Sequence, residues 1–220
     1  MILLYDPPVL DSLNERERAA LLRVAVRRRF SPGEVVFHEG DPGDTLHIVT
    51  RGVFIARSSS TMGEMIAVNV HAEGDVFGEL ALLTADDRRS ATVASVRHGA
   101  TLMLSRSAFE DLRARVPEVD RFLLTVLAER TRTLTAHLVE LLFTPVEQRV
   151  YRRLLAFSAA VGGGGDGWVL LSQAQLATLA GTTRSTTNRV LRRASSTRPR
   201  CSARGRMRVV DDAGLRADAG

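Results

Sequence analysis

The sequence predicts an α+β chain: a glycine-punctuated β-roll of jelly-roll type, then a long helix, then a C-terminal winged helix-turn-helix. Three observations predict it. Short β-rich runs alternate with turn residues from Arg28 to Ser105, one helical stripe continues for 27 residues, and two short capped helices flank a glycine near the end. At 220 residues the chain has room for one large or two small domains, each able to bury a core.

The elements follow in order. Ser12 with Glu15 three places on fits a capping box, and Leu13, Ala20, Leu21 and Val24 recur at helical spacing, so a helix is expected over 12–25. Strands are expected at Val35–Phe37, Leu46–Val49, Val53–Ala56, Ile66–Val70, Ala91–Val96 and Thr101–Leu104. Turns such as Ser31-Pro32-Gly33, Gly40-Asp41-Pro42-Gly43-Asp44, Arg51-Gly52, Met62-Gly63 and Glu73-Gly74-Asp75 separate them. Ser105 suits the cap of a short helix to Arg115, and Pro117 the first residue of the long helix to Phe143. Val119, Leu123, Val126, Leu127, Leu134, Leu138, Leu141 and Leu142 make its stripe. That length exceeds what one small domain covers, so part of the stripe is expected to face a second copy, the alternative being packing on its own barrel alone. Thr144-Pro145 restarts a helix to Val161. Gly162–Gly167 lacks the Gly-Lys-Ser/Thr of a phosphate loop and is a connector, and Trp168–Leu170 a brief strand. The domains are expected at 1–115, 116–143 and 144–220.

Composition narrows the function. No apolar run reaches the roughly 18–20 residues of a membrane span. Met1–Asp11, broken by Asp6, Pro7 and Pro8, has no basic start or cleavage site, so the expected location is cytoplasmic. One cysteine, Cys201, excludes a disulfide framework, a four-cysteine iron–sulfur cluster and a thiolate zinc site. All 30 basic residues are Arg. Residues 145–220 hold 13 of them against 5 acidic residues, whereas 1–144 carry a net −3, so an anionic partner is expected at the C-terminal end.

The first chemical site is Phe77-Gly78-Glu79-Leu80-Ala81-Leu82-Leu83, followed after a polar loop by Arg88-Arg89-Ser90-Ala91-Thr92-Val93. Gly78 lets backbone approach a ligand, and the helical turn after it aims amides at an anion. An Arg fork binds two phosphate oxygens, a neighbouring Ser adds a neutral donor, and Glu79, repelled by phosphate, accepts from sugar hydroxyls. Together they suit a sugar phosphate. This stretch resembles the phosphate-binding cassette of cyclic-nucleotide-binding domains, and the whole chain is similar to the cAMP receptor protein (CRP/FNR) family. The turns at 39–44 and 51–52 are similar as well. The resemblance implies Gly78, Glu79 and Leu80 near ribose and phosphate, with Glu79 on the ribose 2′-hydroxyl. It puts Arg89 and Ser90 on the cyclic phosphate of cAMP or another cyclic nucleotide. Its adenine-facing threonine is Leu134 here, with Thr135 supplying a hydroxyl beside it.

The second site is Leu171–Arg193. Ser172 caps a helix, Ala177 lets two helices approach, Gly181 supplies a left-handed turn, and Thr182 or Thr183 caps a second helix exposing Arg184, Ser185, Asn188, Arg189, Arg192 and Arg193. An Arg near the start of such a helix reaches guanine edges while later side chains hold phosphates of double-stranded DNA. By resemblance Arg184, Ser185 and Arg189 take base-reading positions, with Thr186 and Asn188 beside them, and Ser185 stands where the family often has Glu. Thr187 replaces a usual apolar core residue. Residues 195–202 show no apolar alternation and are expected to be scrambled or disordered, as compensating frameshifts would leave them.

No nucleophile–base pair or Gly-x-Ser-x-Gly turn is present, and His38, His47, His71 and His98 lack metal-site spacing and are expected at surface or turn positions, so an enzyme is not expected. The resemblance implies a homodimeric, ligand-gated transcription regulator with RNA polymerase a further candidate partner. Open alternatives are another effector or none, or a nucleotide-sensing subunit impaired in DNA binding.

Overall fold

The strands of the first half of the chain sit in two four-stranded sheets, each with an inward face. The computed structural model describes residues 14–59, 65–116, 118–160, 168–169, 171–193, 200–202 and 206–208. One sheet orders β1 (Val26–Phe30), β8 (Gly99–Ser105), β3 (Thr45–Arg51) and β6 (Val76–Phe77); the other orders β2 (Val35–Phe37), β7 (Thr92–Ser95), β4 (Phe54–Ser59) and β5 (Met65–His71). Rings from both sheets meet between them. Phe54 lies edge-on to Phe30 at 5.5 Å and tilted to Phe77 at 5.4 Å, while Phe37 lies 5.9 Å from Phe77. Phe30, Phe54 and Phe77 are buried, and each contributes about 1.5–3 kcal/mol through the area it removes from water.

The opposite face of the first sheet is roofed by helices. Leu46, Ile48, Leu102 and Leu104 pack with Leu21 of α1 (Glu15–Val24), Phe109 and Leu112 of α3 (Arg106–Arg115), and Val119 and Leu123 of α4 (Glu118–Phe143). Ser105 caps α3 by accepting from the Ala108 amide, as its position before the apolar run predicts. The stripe of α4 therefore divides. Val119 and Leu123 are core, whereas Leu124, Leu134, Leu138 and Leu142 remain exposed on the single chain. Ser12 and Pro117 lie outside the described residues, as does the glycine run at 162–167.

The expected strands of the roll all have counterparts, and two further ones occur there among the described residues. β1 reads Val-Arg-Arg-Arg-Phe; among the described residues it is an edge strand paired with β8 alone, so three arginines in succession stand exposed and mask any alternation. β6 has two residues, too few for a period. His47 and His71 depart from their expected surface positions: they are 4% and 3% exposed, because both sit on strands facing the ring cluster. His38 and His98 are exposed, as expected.

α5 (Val146–Ala160) follows Pro145, then β9 (Trp168–Val169), α6 (Gln173–Leu179), α7 (Arg184–Arg193), β10 (Arg200–Ser202) and β11 (Arg206–Arg208). The last sheet orders β10-β11-β9, with Cys201 opposite Met207 and Met207 opposite Val169. The strand at 200–202 corrects the expectation of a disordered 195–202 for those three residues, since a ladder needs backbone donors and acceptors rather than apolar side chains. Residues 194–199 lie outside the described residues.

The chain divides into two compact units. One holds the described residues of 5–58 and 69–133, the other those of 59–68 and 134–220. Among the described residues no helix is long and apolar enough to cross a membrane.

Candidate functional site

β6 delivers the chain into a tight turn at Gly78, and α2 (Leu80–Leu83) starts from Glu79. Gly78 has φ +85°, and a Cβ there would stand 2.8 Å from Arg89 Nη1 and 2.9 Å from the Thr45 carbonyl. Both the left-handed backbone and the crowding require glycine. The space is taken by the guanidinium of Arg89, which is 4% exposed. Its Nη1 donates to the carbonyls of Thr45 (2.7 Å) and Gly78 (3.0 Å), its Nη2 to Thr45 Oγ1 (2.7 Å), and its Cζ lies over the Phe37 ring, 4.1 Å from the centroid. Burial pulls the Arg89 pKa down, and the nearby carboxylates of Asp44, Asp41 and Glu79 oppose that pull. A guanidinium has five donors. Three are spent on the cradle, and Nε is buried with no partner.

Glu79 is fully buried. One oxygen pairs with Arg130 of α4, whose other nitrogen donates to the Val76 carbonyl; the second oxygen, Oε2, has no partner. Arg130 is the residue that sequence reasoning missed. The available signal was indirect: a carboxylate expected in a cradle of backbone needs a cation, and Arg130 is one of several arginines on the long helix. The structure thus brings Gly78, Glu79, Leu80 and Arg89 together, with Leu80 38% exposed at the start of α2. Ser90 follows Arg89 and is exposed. Thr135 lies on α4, among the residues of the other unit.

Two neutral histidines line the same region. His47 stacks on Phe77 at 5.1 Å and shares a 3.0 Å hydrogen bond with Thr101 Oγ1; burial, then the charge of Arg89, push its pKa down to about 3. His71 lies 5.3 Å from Phe77, and burial together with Arg130 holds its pKa well below 6.5.

The second site is built from α6 and α7. Ser172 accepts from the Gln175 amide while the Gln175 side chain accepts from the Ser172 amide, a complete capping box. Gly181 has φ +58°, and a Cβ there would stand 2.4 Å from Leu141 Cδ2. Thr183 caps α7 by accepting from the Thr186 amide at 3.2 Å. Val190, Leu191 and Thr187 are buried beneath α7, leaving Arg184, Ser185, Arg189, Arg192 and Arg193 exposed and Thr186 and Asn188 half-buried. One face of a ten-residue helix thus carries four cations.

Residues 27–116 match the family described as the cyclic nucleotide-binding domain, and residues 148–217 the one described as the Crp-like helix-turn-helix domain. A CRP-like cAMP-activated global transcriptional regulator of Mycobacterium tuberculosis is 32% identical over 179 residues, which are 79% of each chain. The cyclic AMP receptor protein of Thermus thermophilus is 30% identical over 184 residues, covering 84% of this chain and 83% of that one. The solved structure of the c-di-GMP-responsive global regulator CLP of Xanthomonas campestris is similar in fold. Its TM-score is 0.77 at 22% identity, over 90% of this chain and all of that one.

Proposed function

The chain belongs to the cAMP receptor protein family of DNA-binding transcription regulators and carries a cyclic nucleotide-binding domain, and from that premise we propose that cAMP gates its binding to a two-fold symmetric promoter site. The observation that carries the reading is the pair of unmet polar atoms in the cradle. Glu79 Oε2 lacks a donor and Arg89 Nε lacks an acceptor, and both are buried. A ribose 2′-hydroxyl supplies the donor, and a cyclic phosphate the acceptor, taken on the Nε edge of the guanidinium with Ser90 adding a hydroxyl. An unpaired buried group costs about 1–3 kcal/mol, which the ligand would return on binding. Thr135 remains the candidate contact for the base.

The proposed mechanism has this chain's residues act in sequence. Phosphate oxygens draw on Arg89, the ribose shares Glu79 with Arg130, and Arg130 passes the change to α4. A second copy packs along α4, where Leu124, Leu127, Thr131, Leu134, Leu138 and Leu141 repeat at three and four. The two α7 helices then meet successive major grooves roughly 34 Å apart, Arg184, Ser185 and Arg189 facing bases and Thr186 and Asn188 beside them. The domains read as 1–115 for effector binding, 116–143 for dimerisation and 144–220 for DNA, with RNA polymerase a candidate partner once promoter-bound.

Isothermal titration with cAMP and cGMP, with Arg89→Ala as control, tests the sensor. Heat with cAMP that drops at least tenfold in affinity in the variant is expected; no heat with either nucleotide would remove cyclic nucleotides as the effector. Gel shifts at fixed salt, with and without ligand, test the gating.

A further inference from the structure

Two helix C-termini converge on a single arginine in the C-terminal unit. The last carbonyls of a helix have no intrahelical donor and carry the negative end of its dipole. Arg149, near the start of α5, meets four carbonyls at or just beyond two such ends. Its Nη1 donates to Leu141 (2.8 Å) in the last turn of α4 and to Thr144 (3.2 Å) just beyond. Its Nε donates to Ala180 (3.1 Å), the C-cap of α6, and its Nη2 to Gly181 (3.4 Å) in the turn before α7. The carbonyls come from segments about forty residues apart in sequence, and a planar fork with fixed donor directions can hold both only if their spacing is fixed.

Two independent contacts reinforce the joint. Leu141 packs so closely on Gly181 that a Cβ there would push the Leu141 side chain aside. The buried Glu140 of α4 pairs with Arg153 of α5, so the end of α4 and the middle of α5 are also tied to each other. Only Thr182 and Thr183 separate this joint from α7.

We propose that Arg149 is a positioning residue that makes the end of the long helix and the helix-turn-helix turn move as one body, so that a shift of α4 is delivered to α7. A hydrogen bond from Arg149 that served stability alone would affect melting but not coupling. The inference rests on the ligand-gated reading above, and its test separates the two.

Full-length Arg149→Gln and Arg149→Lys are compared with wild type after circular dichroism establishes that each is folded. Without ligand, hydrogen exchange at the amides of 142–144 and 146 and of 182–187 is expected to rise together in Arg149→Gln; a rise at one end alone, or at neither, would overturn the proposal. With DNA, the ratio of Kd without cAMP to Kd with saturating cAMP is expected to fall at least tenfold in Arg149→Gln. Arg149→Lys keeps the charge but not the fork, and recovers part of the ratio. An unchanged ratio in folded Arg149→Gln overturns the proposal. A wild-type ratio of one would instead remove cAMP gating, and the exchange data would still decide the role of Arg149.

Discussion

At the scale of single residues, Thr187 shows how a polar group survives in an apolar site at a cost. It is fully buried under α7, and its hydroxyl has no partner. An unmet buried hydroxyl costs about 1–3 kcal/mol, and valine has nearly the same shape without it. Thr187→Val is therefore expected to stabilise the C-terminal unit by about 1 kcal/mol, raising its melting temperature by about 4–8 °C. DNA affinity should hold, because position 187 faces away from the basic face. A melting temperature equal to or below wild type would mean that the hydroxyl is satisfied. Glu79 is the contrasting case. Its charge is met by Arg130, so removing either partner strands the other in a buried place, and their effects should not add.

Among the elements, legibility in sequence tracked period and locality. The strands of the roll could be located because β-rich runs are bounded by glycine-bearing turns, and the caps at Ser105 and Ser172 because their partners lie three residues away. β1 was hidden by its edge position, which lets arginines stand side by side, and β6 by its two-residue length. Gly78, Glu79, Leu80 and Arg89 were legible as one cradle because motif spacing carries them. Arg130 was not, since its partner lies 51 residues away and no local pattern links them. The helical period of α4 was visible but not its two faces: Leu123 is 3% exposed while its neighbour Leu124 is 67% exposed. That exposed seam makes the dimer testable. Leu138 is 57% exposed at an inward heptad position of the proposed interface, where a charge would have to be buried. Leu138→Asp is expected to weaken dimerisation at least tenfold by sedimentation at micromolar concentration, with the far-ultraviolet circular dichroism unchanged. A variant as dimeric as wild type would place the interface elsewhere.

For the whole molecule, three histidines held neutral give stability one direction with pH. His47 titrates at about 3, His71 well below 6.5, and His137, beside Arg153 and Arg149, at about 4. Unfolding returns each to about 6.5. Below that value the unfolded chain binds protons that the folded chain refuses, so stability is fully present above pH 6.5 and is lost as pH falls toward the folded values. Each fully buried histidine contributes a slope of about 1.4 kcal/mol per pH unit in that window, and half-buried His137 less. Carboxylates, with ordinary values near 4, change little between pH 6.5 and 5, so that interval isolates the histidines. Urea unfolding there is expected to show stability falling steadily toward pH 5. The fall should be largest in the transition of the roll, which holds two of the three histidines, and His47→Gln should remove about half of that unit's slope. A stability flat from pH 7 to 5 would mean that His47 and His71 already carry their protons in the folded roll, and that the ring cluster around Phe77 is open to water.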